Sequence, residues 1–236
     1  DLKLFEFGNC YFFNNNSGVK RVDRYSERMS LDLFMTGNRA KHTWNSPKTP
    51  ADFFYMKSFT EMVLQRTGLD ADSLKQAESE KSYFTESLVY LVNGKPVAET
   101  GKISPSYLKK FEIEQDVYYS HIDWDYLLEV IKNNAITYRE LPKFPWVRRD
   151  LALLIDNHVR FSQIRELALS TENQFIKDIC LFDVYESESL GKDKKSYAVS
   201  FILQDEHKTL TDKQIDRIMN NLIKAFEKEL GATIRK

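Results

Sequence analysis

Glycine is scarce in this chain. Its 236 residues include only eight, and no two are separated by a single residue. The spacings GxGxxG and GxxxxGK[ST] are therefore absent, which argues against a nucleotide site built on a glycine-rich turn. Cysteine is scarcer still. Cys10 and Cys180 cannot form a disulfide framework, and a reduced cytoplasmic setting is expected. Neither has an activating neighbour, so both are expected to be small core residues. His42, His121, His158 and His207 are scattered with no ligand spacing, so no metal site is expected. No G-x-S-x-G elbow occurs. The longest apolar runs, Leu88 to Val92 and Leu151 to Ile155, are five residues, against about 20 for a membrane span. Neither sign of charge dominates: 34 Lys+Arg face 35 Asp+Glu. That balance excludes a basic nucleic-acid coat as a description of the whole chain, though not a local RNA-binding face. The chain opens on Asp1 without a basic-then-apolar leader. It reads as an unsecreted, excised piece of something longer. The Asn15-Asn16-Ser17 acceptor match then counts as chance.

What is present is globular. Hydrophobic residues make up 42% and charged residues 29%, the balance of a packed domain. Residues 2–13 read as two short strands around Gly8 that do not alternate cleanly, so both faces are expected to be covered. A turn follows at 14–18 and a half-buried strand at 30–34. Residues 37–50 read as a loop. Residues 51–67 have helical spacing, with Gly68 placed for a C-terminal cap. A hairpin is expected over 83–103, because Asn93-Gly94 tolerates the positive φ of a tight turn. A strand over 117–122 and a helix over 124–133, capped by Asp123, close this half. Pro142 and Pro145 stiffen a linker, and the domain boundary is placed near residue 140, giving domains 1–140 and 141–236.

The second half reads strand 147–155, a helix capped by Ser162 and running to about 170, strand 179–185, an exposed, charged turn over 187–195, strand 197–203, helix from Thr211, and a last strand at 233–235. Thr211 and Gln214 form a capping box. Ile215, Ile218, Met219, Leu222, Ile223 and Phe226 make one apolar stripe. The order β-α-β-β-α-β places both helices on one side of a sheet, a ferredoxin-like fold.

Period two then sorts the strands. Leu151, Leu153, Ile155, Phe182, Val184, Val199, Phe201 and Leu203 are expected inward. Arg148, Asp150, Ala152, Leu181, Asp183, Tyr185, Ala198, Ser200 and Ile202 are expected on the helix-free side. A slip of one residue would invert any strand's set. That side is a platform for single-stranded RNA in one reading. Tyr185 would stack on a base, Asp183 and Ser200 would hydrogen-bond base edges, and Ala152 would admit a base close to the backbone. Arg148, Arg149, Lys194 and Lys195 would hold phosphates. The plainer alternative is a solvated sheet face with Tyr185 packed beside Leu181.

The stretch Phe144-Pro145-Trp146-Val147-Arg148-Arg149-Asp150-Leu151 resembles the start of the ferredoxin-fold anticodon-binding domain of the bacterial phenylalanyl-tRNA synthetase beta-subunit family. The likeness continues through Leu181-Phe182-Asp183-Val184-Tyr185-Glu186, Lys195-Ser196-Tyr197-Ala198-Val199-Ser200-Phe201 and Leu210-Thr211-Asp212. Upstream, Leu4-Phe5-Glu6-Phe7-Gly8, Asp52-Phe53-Phe54-Tyr55-Met56-Lys57 and Gly101-Lys102-Ile103-Ser104-Pro105 resemble the same family's catalytic-like module. The family commonly has His-Pro-Gly-Arg before its hairpin, where Tyr83-Phe84-Thr85-Glu86-Ser87 stands here.

The resemblance implies an α+β chain: a class II synthetase-like antiparallel sheet module, then a ferredoxin-like βαββαβ anticodon-binding domain. It implies an (αβ)₂ ligase that joins phenylalanine to its tRNA with ATP and Mg²⁺, the alpha subunit carrying the chemistry. This chain would be a non-catalytic part that binds phenylalanine tRNA and supports assembly. Phe53, Phe54, Tyr55 and Phe59 are candidate contacts to the alpha subunit. Two rivals stand beside it. A phosphate-handling enzyme of acylphosphatase type wants an amide-rich turn with Arg, but the turn here is Asp156-Asn157-His158-Val159-Arg160. An amino-acid-sensing module is the other.

Overall fold

The computed structural model describes all residues except 16–19, 46, 72–73, 135–137, 139, 188–189, 192 and 236. Asn16 and Ser17 of the acceptor match, most of the turn at 14–18 and three residues of the 187–195 turn fall outside the described residues. The chain divides into two compact units, Asp1–Thr137 and Tyr138–Lys236.

The first unit is a six-stranded sheet with every pairing antiparallel. Its strands are β1 (Leu2–Phe13), β2 (Tyr25–Thr36), β3 (Lys75–Ala77), β4 (Phe84–Val92), β5 (Lys95–Ile103) and β6 (Val117–Asp123), in the order β1-β2-β6-β5-β4-β3. The Asn93-Gly94 turn forms as its residues demand, with φ of 50° and 78°. Helix α1 (Phe53–Arg66) starts where Asp52 accepts the Tyr55 N–H. A short helix α2 (Pro105–Leu108) follows β5. Helix α3 (Trp124–Ile131) starts where Asp123 accepts the Tyr126 N–H. Tyr90, Ala98 and Ile122 are buried against Leu64 of α1 and Leu127 of α3, so both helices cover one face. β1 departs from expectation. It runs through Gly8 without a break, because nothing crowds that residue. As an edge strand paired, among the described residues, only with β2, it is exposed on both sides rather than covered.

The second unit has β7 (Val147–Asp156), α4 (Phe161–Thr171), β8 (Ile176–Tyr185), β9 (Lys194–Leu203), α5 (Asp212–Leu230) and β10 (Thr233–Arg235). The sheet order β10-β7-β9-β8 with antiparallel pairs is the split-βαβ arrangement. Helix α5 starts at the Thr211–Gln214 box and ends at Gly231 in the left-handed region. Ile215, Ile218, Met219, Leu222 and Phe226 are buried against Leu153, Ile155, Val199, Phe201 and Leu203. Helix α4 begins one residue before Ser162. The Gln163 side chain accepts the Arg160 N–H at 2.8 Å, so Ser162 lies inside the first turn.

β8 corrects the period-two sorting. Leu181 pairs with Val199 and Asp183 pairs with Ala198, so Phe182 is an extra residue in a β-bulge. A bulge breaks alternation. Leu181, expected on the open side, packs against the core. Phe182, expected inward, is half exposed. Val184 faces the core side opposite Tyr197 but remains 49% exposed, because β8 is an edge strand there.

Candidate nucleic-acid interface

Both helices of the second unit sit on one side of its sheet, and pairing arranges the other side into rows. Arg148, Ile202 and Asp178 form the first. Asp150, Ser200 and Cys180 form the second. Arg235, Ala152, Ala198 and Asp183 form the third. Thr233, Leu154, Ser196 and Tyr185 form the fourth. Cys180 is exposed and Cys10 half-buried, so neither is the core residue expected from its type.

Tyr185 keeps 45% of its surface exposed. Its ring does not pack beside Leu181, which points to the other side. Instead, the Arg235 guanidinium carbon lies 5.6 Å from the Tyr185 ring centroid. Arg235 is at one edge of the sheet and Tyr185 at the other. The two side chains meet above the middle strands, where Ala152 and Ala198 of the Arg235 row are too small to obstruct them. Arg235 was not singled out from sequence. Its signal was there: a period-two position on the last strand, one row from the tyrosine.

Asp183 is exposed, and no hydrogen bond to its carboxylate occurs among the described residues. Ser200 is only 5% exposed, at the floor of the face, with its hydroxyl 3.5 Å from the Cys180 carbonyl oxygen. Arg148 donates from Nε to Asp150 at 2.8 Å, and that carboxylate raises the already high pKa of the guanidinium. Its guanidinium carbon lies 5.0 Å from the Phe182 ring centroid. Lys194 reaches Asp156 at 2.7 Å on the same side, and the lysine holds that carboxyl below its ordinary pKa.

Two of the expected phosphate holders are not on this face. Lys195 lies on the helix side of β9, is 9% exposed, and donates from Nζ to the Asn157 carbonyl at 2.8 Å. Arg149 pairs with Phe201, whose side chain points into the core, and donates to the Arg148 carbonyl. Each sits one residue from a partner on the open side, and alternation sends it the other way.

The first unit has its own helix-free face. One row across it holds Glu6, Asp32, His121 and Glu99. Asp32 accepts from Tyr119 at 2.5 Å, Ser30 at 2.7 Å and pairs with His121 Nδ1 at 2.9 Å. Burial would raise the Asp32 pKa, but these hydrogen bonds, His121 first, outweigh it and hold it below the ordinary value. Burial and the neighbouring carboxylate push the Tyr119 phenol far above its usual range. Glu99 is buried, pairs with Lys81 at 2.7 Å, and accepts from Ser79. Phe84, in the stretch that departs from the family pattern, lies over Gly101 so closely that a Cβ there would sit 2.5 Å from its ring.

Comparison with known proteins follows this division. Residues 1–124 match the family model described as "Phenylalanyl tRNA synthetase beta chain CLM domain", and residues 142–235 match "Ferredoxin-fold anticodon binding domain". The chain belongs to the phenylalanyl-tRNA synthetase beta-chain family. Over its whole length it is 42% identical to the phenylalanine–tRNA ligase beta subunit of Bacteroides thetaiotaomicron. Over 99% of it, it is 40% identical to that of Porphyromonas gingivalis. It spans 29% of the length of each of these relatives. Among solved structures, the pyrrolysyl-tRNA synthetase of Desulfitobacterium hafniense matches at TM-score 0.39 and 13% identity, over 58% of this chain and 47% of that one.

The first unit of this beta chain does not fit ATP. Carboxylates stand at the centre of its helix-free face, where a polyphosphate would need cations. Lys81 is already paired with Glu99, and Phe84 fills the space above Gly101. Among the described residues no group of three His, Cys, Asp or Glu side chains is placed to hold a metal ion, and no helix is long and apolar enough to cross a membrane.

Proposed function

We propose that this chain is the anticodon-binding and assembly part of a phenylalanine–tRNA ligase beta subunit, with 141–236 reading the tRNA and 1–140 serving assembly. The observation that carries the reading is the trough Arg235–Ala152–Ala198–Asp183, with the half-exposed Tyr185 at its end. An unpaired base has a flat aromatic partner in Tyr185, worth about 1–3 kcal/mol. It takes the place now held by the guanidinium, and Arg235 is released toward a phosphate. Ala152 and Ala198 let the base approach the backbone. Asp183 accepts from base N–H groups, and Ser200 contributes from the floor. Arg148 and Lys194 supply positive charge at the rim.

In this reading ATP and Mg²⁺ serve the whole (αβ)₂ ligase through the alpha subunit, since the first unit here does not fit them. The alpha subunit meets β1, where Leu2, Leu4, Phe5, Phe7, Tyr11 and Phe12 are all at least half exposed. An apolar surface of that extent marks a protein contact. Of the aromatic residues singled out in sequence, Phe54 is exposed, while Phe53, Tyr55 and Phe59 pack against the core.

The test is binding of phenylalanine tRNA by this chain and by Tyr185→Ala, at stated salt. The variant is expected to bind about 5- to 150-fold more weakly with an unchanged melting temperature. Equal affinity would remove Tyr185 from the site. Acyl-phosphate hydrolysis lost on Arg160→Ala would favour the phosphatase alternative instead.

A further inference from the structure

We propose that Phe182 is a second base-stacking platform, so that the helix-free face of the second unit takes two unpaired nucleotides rather than one. The inference rests on the RNA reading above and deepens it. In a regular strand, residues three apart point to opposite faces. Phe182 and Tyr185 are three apart, yet both lie on the helix-free side. The bulge is the cause. It inserts Phe182, which takes no partner of its own, between Leu181 opposite Val199 and Asp183 opposite Ala198. A phenylalanine gains nothing by being half exposed on an edge strand when the core side is one residue away, yet Phe182 is 50% exposed.

The two rings are dressed alike. Arg148 lies 5.0 Å from the Phe182 centroid and Arg235 lies 5.6 Å from that of Tyr185. In each case a guanidinium occupies the ring, where a base would lie. Asp150 fixes the Arg148 side chain through its 2.8 Å hydrogen bond. Asp183 lies opposite Ala198 and Tyr185 opposite Ser196, so at about 3.3 Å per residue the two rings are roughly 7–10 Å apart along the strand. That separation suits two bases splayed apart, each on its own ring, as sheet-based RNA readers hold single strands. Asp183, also exposed, stands between them in the strand. Each base displaces its arginine, and each arginine then meets the backbone phosphates.

The experiment compares Phe182→Leu, Phe182→Trp and Tyr185→Leu in the full chain. The probe is the anticodon stem-loop of phenylalanine tRNA, at roughly 50 and 200 mM salt. Phe182→Leu is expected to weaken binding about 5- to 150-fold, by the same factor at both salts, because stacking releases no counterions. Phe182→Trp is expected to stay within about twofold of the parent, since every base stacks on an indole. If Phe182→Leu binds as the parent does while Tyr185→Leu is weakened, the face takes one base and the inference fails, leaving the anticodon reading intact. If neither leucine variant changes affinity, both fail. A loss confined to Phe182 keeps this platform and removes Tyr185. A loss at Phe182→Leu that Phe182→Trp does not restore, accompanied by a lowered melting temperature, would make Phe182 a structural residue and overturn the inference.

Discussion

Arg235, on the last strand of the chain, lays its guanidinium 5.6 Å from the ring of Tyr185 on the far edge of the same sheet. The contact needs a clear path, and Ala152 and Ala198 provide it. Filling that path tests the trough without touching either end. Ala152→Leu is expected to cut tRNA affinity at least about tenfold while changing stability by less than about 0.5 kcal/mol, the usual range for a surface substitution. Binding titrations beside a denaturant melt check both parts. Normal binding by the Ala152→Leu variant would mean that no base enters the trough.

Arg235 itself is predicted to act through charge. Arg235→Gln should lower the slope of log affinity against log salt by about one unit, with little change at high salt. Titration of tRNA at several salt concentrations reads the slope. An unchanged slope would leave Arg235 as a packing partner of Tyr185.

The regular parts of both units were legible in the residues. The Asn93-Gly94 turn, the Asp123 cap, the Thr211–Gln214 box and the α5 stripe each formed as local chemistry dictates. What stayed hidden was set by strand pairing. The bulge at Phe182 leaves no mark in hydrophobic periodicity, because Leu181, Phe182 and Val184 suit either face. Placing Lys195 on the rim ignored its parity, which sends it to Asn157. β1 showed its character in its failure to alternate, but an edge strand bare on both sides and a strand buried on both sides read the same. The Asp32–His121–Tyr119 cluster spans two strands far apart in sequence and had no local signal.

That cluster makes stability depend on acid pH. The Asp32 pKa is held below its ordinary 3.8 by hydrogen bonds from His121, Ser30 and Tyr119 that overcome the effect of burial. A folded-state value below the unfolded one stabilises the protein above the unfolded pKa. The contribution is lost as pH falls through the folded one. Asp32→Asn is therefore expected to lower stability at neutral pH by about 1–3 kcal/mol, and the gap from the parent should shrink below pH about 4. Denaturant melts at about pH 7 and about pH 3 measure it. A gap that does not narrow would show that the carboxylate's charge plays no part.

Gly101 is predicted to tolerate no side chain. A Cβ there would stand 2.5 Å from both the Glu86 carbonyl oxygen and the Phe84 ring. The ring can turn, but the carbonyl belongs to the paired strand β4 and cannot withdraw without breaking its register with β5. Gly101→Ala should cost about 1–3 kcal/mol, as overpacking does. Gly101→Ala combined with Phe84→Ala should recover only part of that, since the carbonyl contact remains. Full recovery in the double variant would place the whole clash at the ring.

The edge strand β1 offers the clearest separation of folding from assembly. Phe5 is 74% exposed and Tyr11 76% exposed. They lie on the same side of the strand, opposite Leu33 and Glu27 of β2. Neither contributes to this chain's own core, so replacing both with Ser should shift the melting temperature by no more than about 2 °C. If β1 is the surface that meets the alpha subunit, the same pair of changes removes large apolar groups from an interface, where aromatic residues carry much of the energy. Co-expression of the complete beta subunit carrying Phe5→Ser and Tyr11→Ser at these positions with the alpha subunit is expected to yield at least about tenfold less complex. A matched change at exposed Trp44, on a loop outside β1, should leave the yield unaltered. Equal recovery of complex from both variants would place the assembly surface elsewhere, and the open edge of β1 would then need another occupant to explain its aromatic residues.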